Sequence, residues 1–290
     1  MKTTAVQSIA AFAALAAAAP APVPEPEYNA TLVARGTDAP FGIKKGLAYN
    51  DAGKINTLSR SGSATWAYNW GAARDAPKFQ GIPMMWGVNE GQVDGIFAKI
   101  ASGDTPYVLG YNEPDVTREH GGCNASPQRA REQWGNDMFR FRDRGAKLVC
   151  PAISSWNTDR GFTGGPSGLT WLRQFAGNNP GQFGCSAQAL HWYGEPGANA
   201  QRQAQLFIDY VAWAHGEVNS IFQREMPLWI TEFSPDPVGD VNLLADFLRI
   251  VIPWLDRQDY VHRYAPFKAE TMVNGNDLNN AGRAFVESRG

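Results

Sequence analysis

Two distant stretches of this chain share one build, and together they limit what it can fold into. Val108-Leu109-Gly110-Tyr111 runs directly into Asn112-Glu113-Pro114-Asp115, and Leu228-Trp229-Ile230-Thr231 runs into Glu232-Phe233-Ser234, with Pro235 and Pro237 behind it. A short apolar run of this kind suits a strand buried on both faces, the habit of parallel sheets covered by helices. Proline has no N–H to give a strand ladder, so Pro114 is expected to end its strand where Glu113 emerges. Two carboxylates on the C-terminal lips of buried strands are what acid-assisted nucleophilic cleavage of a sugar–sugar bond requires.

The rest of the chain supplies the same kind of unit repeatedly. Strands are expected over 45–50, 64–70, 81–86, the opening stretch up to where Glu113 emerges, 147–152, 186–193, 226–233 and 261–267. Between them lie helical patterns. Val93, Ile96, Phe97 and Ile100 recur at helical spacing in 92–101, and Ala130, Trp134, Met138 and Phe141 share a face behind a Ser126 N-cap with Pro127 in the first turn. Further helices are expected over 169–175, over 200–215 with Phe207, Tyr210, Val211 and Ala214 inward, across Leu243 to Leu255, and over 280–287. Eight strands alternating with helices over roughly 250 residues is the count and size of an α/β (β/α)8 TIM barrel, read as a single catalytic domain over 41–290. A doubly wound open sheet is the rival. It usually carries a glycine-rich phosphate fingerprint after its first strand, where this chain has Tyr49-Asn50-Asp51.

The N-terminus reads differently. Met1-Lys2 precedes an Ala-rich apolar run through Ala19, the pattern of a secretory signal peptide over 1–20. A Pro-rich leader follows over 21–40. The protein is therefore expected to be secreted, extracellular or in a cell wall, as a monomer with no membrane span. Cys123, Cys150 and Cys185 permit at most one intramolecular bridge, and their spacing does not choose the pair. Asn29 and Asn124 open glycosylation sequons. A net charge of −2 with 19% charged residues argues against nucleic acid as a partner and suits a neutral substrate.

If the fold is a barrel, the working residues lie at the C-terminal strand ends. Those ends are rich in aromatic rings, amides and hydroxyls, with two glutamates. They hold no metal-ligand spacing, no Gly-x-Ser-x-Gly elbow and no lysine for a Schiff base, so neither a metal nor a cofactor is expected. Glu113 and Glu232 are the catalytic candidates. Tyr49, Asn50, Trp70, Trp86, Asn112, His191, Tyr193 and Phe233 are the substrate-binding candidates. Asn112 beside the acid suits a sugar 2-hydroxyl. Trp70 and Trp86 suit the apolar face of a pyranose. His191 and Tyr193 share a face, from which either Tyr193 or His191 can donate to Glu232, His191 otherwise suiting sugar hydroxyls. Period-two alternation puts Glu232 with Leu228 and Ile230, all three pointing into the barrel. The bland alternatives are a surface Glu113 paired with Arg118, a satisfied core histidine, and tryptophans used only for packing. Glu90, in a glycine-flanked loop, is the alternative acid.

Gly46-Leu47-Ala48-Tyr49-Asn50, Leu109 through Asp115, His191-Trp192-Tyr193-Gly194 and Trp229 through Phe233 together resemble glycoside hydrolase family 128, the fungal hydrolases with an alkali-sensitive-linkage-protein-like catalytic core among the clan A retaining barrels. The resemblance runs in order from about Phe41 to Phe267. It implies β-1,3-glucan hydrolysis with retention, with the acid/base at Glu113 and the nucleophile at Glu232. Ala265-Pro266-Phe267 departs from the family's pattern after strand 8, and the polar segment 274–280 has no assignment. Two other readings remain beside this one: a glycosidase for another β-glucan linkage, and an inactive wall-glucan-binding protein.

Overall fold

Parallel neighbours need crossovers long enough to return the chain to the same end of the sheet, and helices of one to several turns supply them here. A computed structural model describes residues 44–59, 63–103 and 105–289, all within the compact unit Thr37–Gly290. The expected signal peptide, the leader and the Asn29 sequon lie outside the described residues. Strands β1 (Gly46–Ala48), β2 (Trp66–Tyr68) and β3 (Gln80–Gly81) form one parallel arc in that order. Strands β4 (Tyr107–Leu109), β5 (Lys147–Ile153), β6 (Cys185–Tyr193), β7 (Leu228–Ser234) and β8 (Val261–Tyr264) form a second, five-stranded arc, again parallel and in chain order. Single-residue bridges lie between the arcs, Met84 to Leu109 on one side and Lys45 to Tyr264 on the other.

Helices α1 (Ala52–Ser59), α2 (Val93–Ala101), α3 (Pro127–Trp134), α4 (Arg140–Arg142), α5 (Gly168–Ala176), α6 (Ala200–Phe222), α7 (Val241–Arg257) and α8 (Asn280–Glu287) complete the order. Their starts follow local chemistry. The Ser126 hydroxyl accepts from the Arg129 N–H, and Pro127 spends no donor in the first turn of α3. The Asp240 carboxylate accepts from the N–H groups of Asn242 and Leu243 at the head of α7. Helix α6 runs past the expected end at His215, because its buried stripe continues through Val218, Ile221 and Phe222. Helix α1 was not expected. It buries only Ile55, Thr57 and Leu58, too few apolar residues to make a stripe. The unassigned polar segment is a small antiparallel hairpin, β9 (Val273–Asn274) with β10 (Asp277–Leu278), turned at Gly275 with φ +60°. Asn279 then caps α8 by accepting from the Gly282 N–H.

The core has two layers. One contains Leu47, Val108, Leu148, Leu190, Leu228 and Ile230 from the strands, packed against Trp134, Phe175, Phe207 and Phe247 from the helices. The other contains Ala48, Trp66, Tyr68, Tyr107, Leu109, Val149, Ala187, Ala189 and Trp229, all from strands. Among the described residues, helix side chains thus cover only one face of the sheet, whereas a doubly wound sheet is covered on both. The result is an α/β fold whose parallel sheet curls around its own side chains. Cys150 and Cys185 are the bonded pair, tying β5 to the start of β6, and Cys123 is a buried free thiol.

Candidate active site

The path to Glu113 begins at a position that only glycine can occupy. A Cβ on Gly110 would lie 2.7 Å from the Trp134 ring and 2.8 Å from the Val149 carbonyl oxygen. The chain then turns sharply. The Asn112 N–H donates to the Trp86 carbonyl and the Glu113 N–H to the Ala152 carbonyl, each at 2.8 Å. Glu113 itself takes a left-handed backbone, φ +39°, a conformation that a residue with a Cβ adopts only when its surroundings hold it there. Asp115 is the main clamp. Fully buried, it accepts from the Ser154 N–H, from the Ser154 hydroxyl at 2.6 Å and from the Gly168 N–H at 2.8 Å, joining this turn to β5 and α5.

Glu232 arrives by a route that simple alternation does not give. Leu228 and Ile230 face the helices, not the interior, while Trp229 lies in the inner layer. Strict alternation would therefore have sent Glu232 outward with Leu228 and Ile230. The pairing with β6 shifts at this point: Leu190 lies opposite Ile230, but His191 lies opposite Glu232. Thr231 is the extra residue of a bulge, a device that re-aims the side chains beyond it. The expectation that all three residues share the inward face is corrected accordingly.

Four groups then surround the Glu232 carboxylate. The Trp70 indole N–H donates to Oε1 at 2.7 Å and the Tyr193 hydroxyl to Oε2 at 2.6 Å. The Tyr68 hydroxyl lies 3.4 Å from Oε1 while donating to the Thr231 carbonyl at 2.9 Å. His191 Nε2 lies 3.5 Å from Oε1. On its other side, His191 Nδ1 lies 2.9 Å from Glu113 Oε1, and Nε2 lies 2.9 Å from the Thr231 hydroxyl. Glu113, His191 and Glu232 each offer an atom within 4.8 Å of the others. Three such donors can bracket a cation, but both His191 nitrogens are already spent on Glu113 and Thr231, so the donor set reads as a hydrogen-bonded relay.

Burial sets the electrostatics. It pushes the Glu113 carboxyl up to about 6, with the Glu232 and Asp115 charges adding to it and His191 opposing. Burial disfavours a charged His191, yet the Glu232 charge and the contact with Glu113 outweigh it, and its pKa rises. Burial and the same two carboxylates drive the Tyr68 and Tyr193 hydroxyls well above the usual phenol range, so both remain donors.

Of the residues singled out in the sequence, Glu113, Glu232, His191, Tyr193 and Trp70 come together here. Asn112 is adjacent: its amide donates to the Gly121 carbonyl at 3.1 Å, and its buried Oδ1 has no partner among the described residues. Trp86 is half-buried, with the Arg118 guanidinium 5.4 Å from its ring. Asn50 is exposed after β1, its backbone N–H donating to Glu270. Two assignments do not fit. The Tyr49 ring is wholly buried in the helix-facing layer, and its hydroxyl donates to Asp75 at 2.5 Å. Phe233, next after Glu232, stacks on Phe207 of α6 at 5.0 Å; its ring is core. Glu90 is exposed and pairs with Arg118, unlike the buried carboxylate pair. Sequence reasoning missed Tyr68, Thr231 and Phe267. Tyr68 was legible as the middle member of the Trp66-Tyr68-Trp70 alternation. Phe267 stands edge-on to both Trp70 and Tyr193, at 5.8 and 5.6 Å, after the strand end that departs from the family's pattern.

Residues 46–288 match the family of glycosyl hydrolase catalytic cores. Alkali-sensitive linkage protein 1 of Schizosaccharomyces pombe is 26% identical over a match covering 85% of this chain and 42% of that protein, so the chain spans about two fifths of this curated relative. Among solved structures, a curdlan-specific exo-β-1,3-glucanase from Blastomyces gilchristii, glycoside hydrolase family 128 subgroup III, is 28% identical with a TM-score of 0.71, covering 87% of this chain and 100% of that one. A subgroup II endo-β-1,3-glucanase from Sorangium cellulosum (24% identical, TM-score 0.66, 84% of this chain and 98% of that one) shares the fold. So does a subgroup VII oligosaccharide-binding protein from Trichoderma gamsii (20% identical, TM-score 0.62, 89% and 97%).

Proposed function

The chain belongs to the glycosyl hydrolase catalytic core family, and on that premise we propose that it cleaves β-1,3-glucan with retention of configuration, using Glu113 as acid/base and Glu232 as nucleophile. The observation that carries this reading is the pair itself. Each carboxylate offers an oxygen within 4.8 Å of one on the other, a closeness that suits the retaining separation of about 5–5.5 Å and not the roughly 6.5–9.5 Å that an inverting enzyme needs for its water. Glu113 holds its proton up to about pH 6 and gives it to the glycosidic oxygen as Glu232 attacks the anomeric carbon. Glu113, now a base, takes a proton from the water that releases the glycosyl group. Asn112, whose Oδ1 is unpartnered, meets a sugar hydroxyl, and the half-buried rings of Trp70 and Trp86 flank the sugar.

The scaffold for this chemistry is a closed (β/α)8 barrel. That reading is supported by the bridges between the two arcs and by an inner layer to which, among the described residues, no helix contributes. Secretion is supported by the Cys150–Cys185 disulfide, since such bonds persist in oxidising compartments. β-1,3-Glucan as substrate is supported by the glucanases among the relatives. The binding-only alternative has a precedent in the Trichoderma gamsii relative, but the presence of both carboxylates at reacting distance favours catalysis. Laminarin and linear β-1,3-gluco-oligosaccharides test it: reducing ends should appear, the first-formed sugar should be the β-anomer by proton NMR, and Glu232→Gln should fold yet release nothing. Near wild-type cleavage by that variant would refute the assignment. Binding to insoluble glucan with no reducing-end release by the unaltered protein would refute the activity.

A further inference from the structure

The sequence marked Trp70 for stacking on a sugar, but its polar edge is already engaged. Its indole N–H donates to Glu232 Oε1 at 2.7 Å. To reach that oxygen, Trp70 takes a left-handed backbone, φ +57°, which is uncommon for a bulky residue and persists only where neighbours enforce it. The enforcing network is present. The Asn69 side-chain oxygen accepts from the N–H groups of Gly71 and Ala73, at 3.2 and 3.0 Å, and closes the turn around Trp70. Asn69 in turn donates to Asp75 at 3.1 Å, and the same Asp75 oxygen accepts from the buried Tyr49 hydroxyl. The Gly71 carbonyl accepts from the Met84 N–H at 2.8 Å, pinning the turn to the neighbouring segment. Tyr49, misplaced as a sugar ligand, thus has a role as the deep anchor of this turn.

The two oxygens of Glu232 are held unequally. Oε1 has Trp70 at 2.7 Å, with the Tyr68 hydroxyl and His191 Nε2 at 3.4 and 3.5 Å. Oε2 has one donor, the half-buried Tyr193 hydroxyl. We propose that Trp70 is a positioning residue that fixes Oε1 as the spectator oxygen of Glu232 and leaves Oε2 to attack, an inference that rests on the double-displacement reading above. A lone pair of Oε2 forms the bond to the anomeric carbon. The bond from that carbon to the glycosidic oxygen breaks, its electron pair staying on the oxygen, which takes the proton of Glu113. Oε1 becomes the carbonyl oxygen of the glycosyl ester and still accepts from the indole, so the Trp70 contact need not break on the way to the intermediate. The Tyr193 hydroxyl gives up Oε2 as its negative charge disappears.

Trp70→Phe keeps a ring against Tyr68 and Phe267 and removes only the donor. The variant should lose about 10- to 100-fold in kcat, the worth of one hydrogen bond to a charged group, with KM within about threefold. The other groups facing Glu232 remain in place: Glu113 after β4, His191 and Tyr193 on β6, and Tyr68 on β2. Asn69→Ala, which loosens the turn without touching Glu232, should lower kcat the same way but less. A kcat within about threefold of wild type, or a loss confined to KM, overturns the proposal. The bond itself is read without turnover. In protein carrying 15N-labelled tryptophan, the indole signal missing from Trp70→Phe should shift in Glu232→Gln, and no shift overturns it. A crystal structure of the ester trapped with a 2-fluoro-β-1,3-glucosyl donor decides the oxygen: the indole against the carbonyl oxygen supports the proposal, against the bridging oxygen defeats it. A wild-type protein with no turnover would strike the double-displacement reading, while the indole signal would still decide the Trp70–Glu232 bond.

Discussion

A buried carboxyl poised to donate a proton must weaken the fold that holds it, and Glu113→Gln should expose that cost. Glu113 is 7% exposed, and burial is the largest reason its pKa stands at about 6 in place of 4.5. The difference corresponds to about 2 kcal/mol. Below pH 4.5 the group carries its proton in both the folded and unfolded chain, and the stability of the neutral form is fully present. As pH rises, the unfolded chain gives up its proton first, and by the time pH passes through about 6 the folded chain holds a buried carboxylate and that stability is gone. Glutamine never ionises, so the variant should match the wild type at pH 4 and exceed it at pH 7.5. His191 loses a charged partner in the variant, which trims the gain and makes 2 kcal/mol its upper figure. For a domain of this size that is a rise in Tm of about 4–8 °C at most.

Urea unfolding followed by circular dichroism at pH 4 and pH 7.5 measures the difference. The same offset at both pH values, or a variant less stable than wild type at pH 7.5, would refute the claim that the folded protein bears a desolvated carboxylate at this position. On the proposed reaction the variant should also lose hydrolysis of unactivated glucans, because Gln cannot protonate the leaving oxygen. Loss of activity with gain of stability is the combined signature, and a merely structural glutamate would not produce it.

Three further outcomes follow from the same geometry. If Glu113 is the acid, as proposed, its protonated form is the active one, so kcat/KM should fall as pH rises through about 6, and a flat profile from pH 5 to 8 would contradict that role. Replacing Cys150 and Cys185 together by Ala should cost about 4 kcal/mol by the chain-entropy estimate for a closed loop of 35 residues, read as a lower urea midpoint at unchanged slope. Phe233→Ala should cost about 3–5 kcal/mol, as a ring packed in the helix-facing layer does, whereas Phe267→Ala should leave stability nearly unchanged and raise KM; the reverse pattern would mean that the two rings have been assigned to the wrong places.

How far the fold could be read in advance depended on whether local chemistry or a neighbour decided each element. The Ser126-Pro127 start of α3 and the apolar face of α7 carry their instructions in a few adjacent residues, and both stand where expected. Helix α1 and the β9–β10 hairpin have no such stripe, and packing against the rest of the chain decides them. The Cys150–Cys185 pairing was open because it depends on which strands become neighbours. The site divides along the same line. Glu113, Glu232, His191 and Tyr193 were visible because apolar runs and strand ends marked them. Tyr49 and Phe233 were misjudged because a strand-end position alone does not say which face a ring takes.

The misreading of β7 shows why the chemistry sits where prediction is weakest. Alternation assigns faces only while a strand keeps register with its partner, and nothing in Leu228-Trp229-Ile230-Thr231-Glu232 announces a break. Yet the break is what makes the site. With Thr231 bulged out of register, two consecutive residues reach the same histidine: the Thr231 hydroxyl lies 2.9 Å and Glu232 Oε1 3.5 Å from His191 Nε2. A regular strand cannot do this, because neighbouring side chains leave it on opposite faces. The bulge therefore lets one imidazole touch both carboxylates, through Nδ1 to Glu113 and through Nε2 toward Glu232. The irregularity that defeated the alternation rule is the one that couples the two acids.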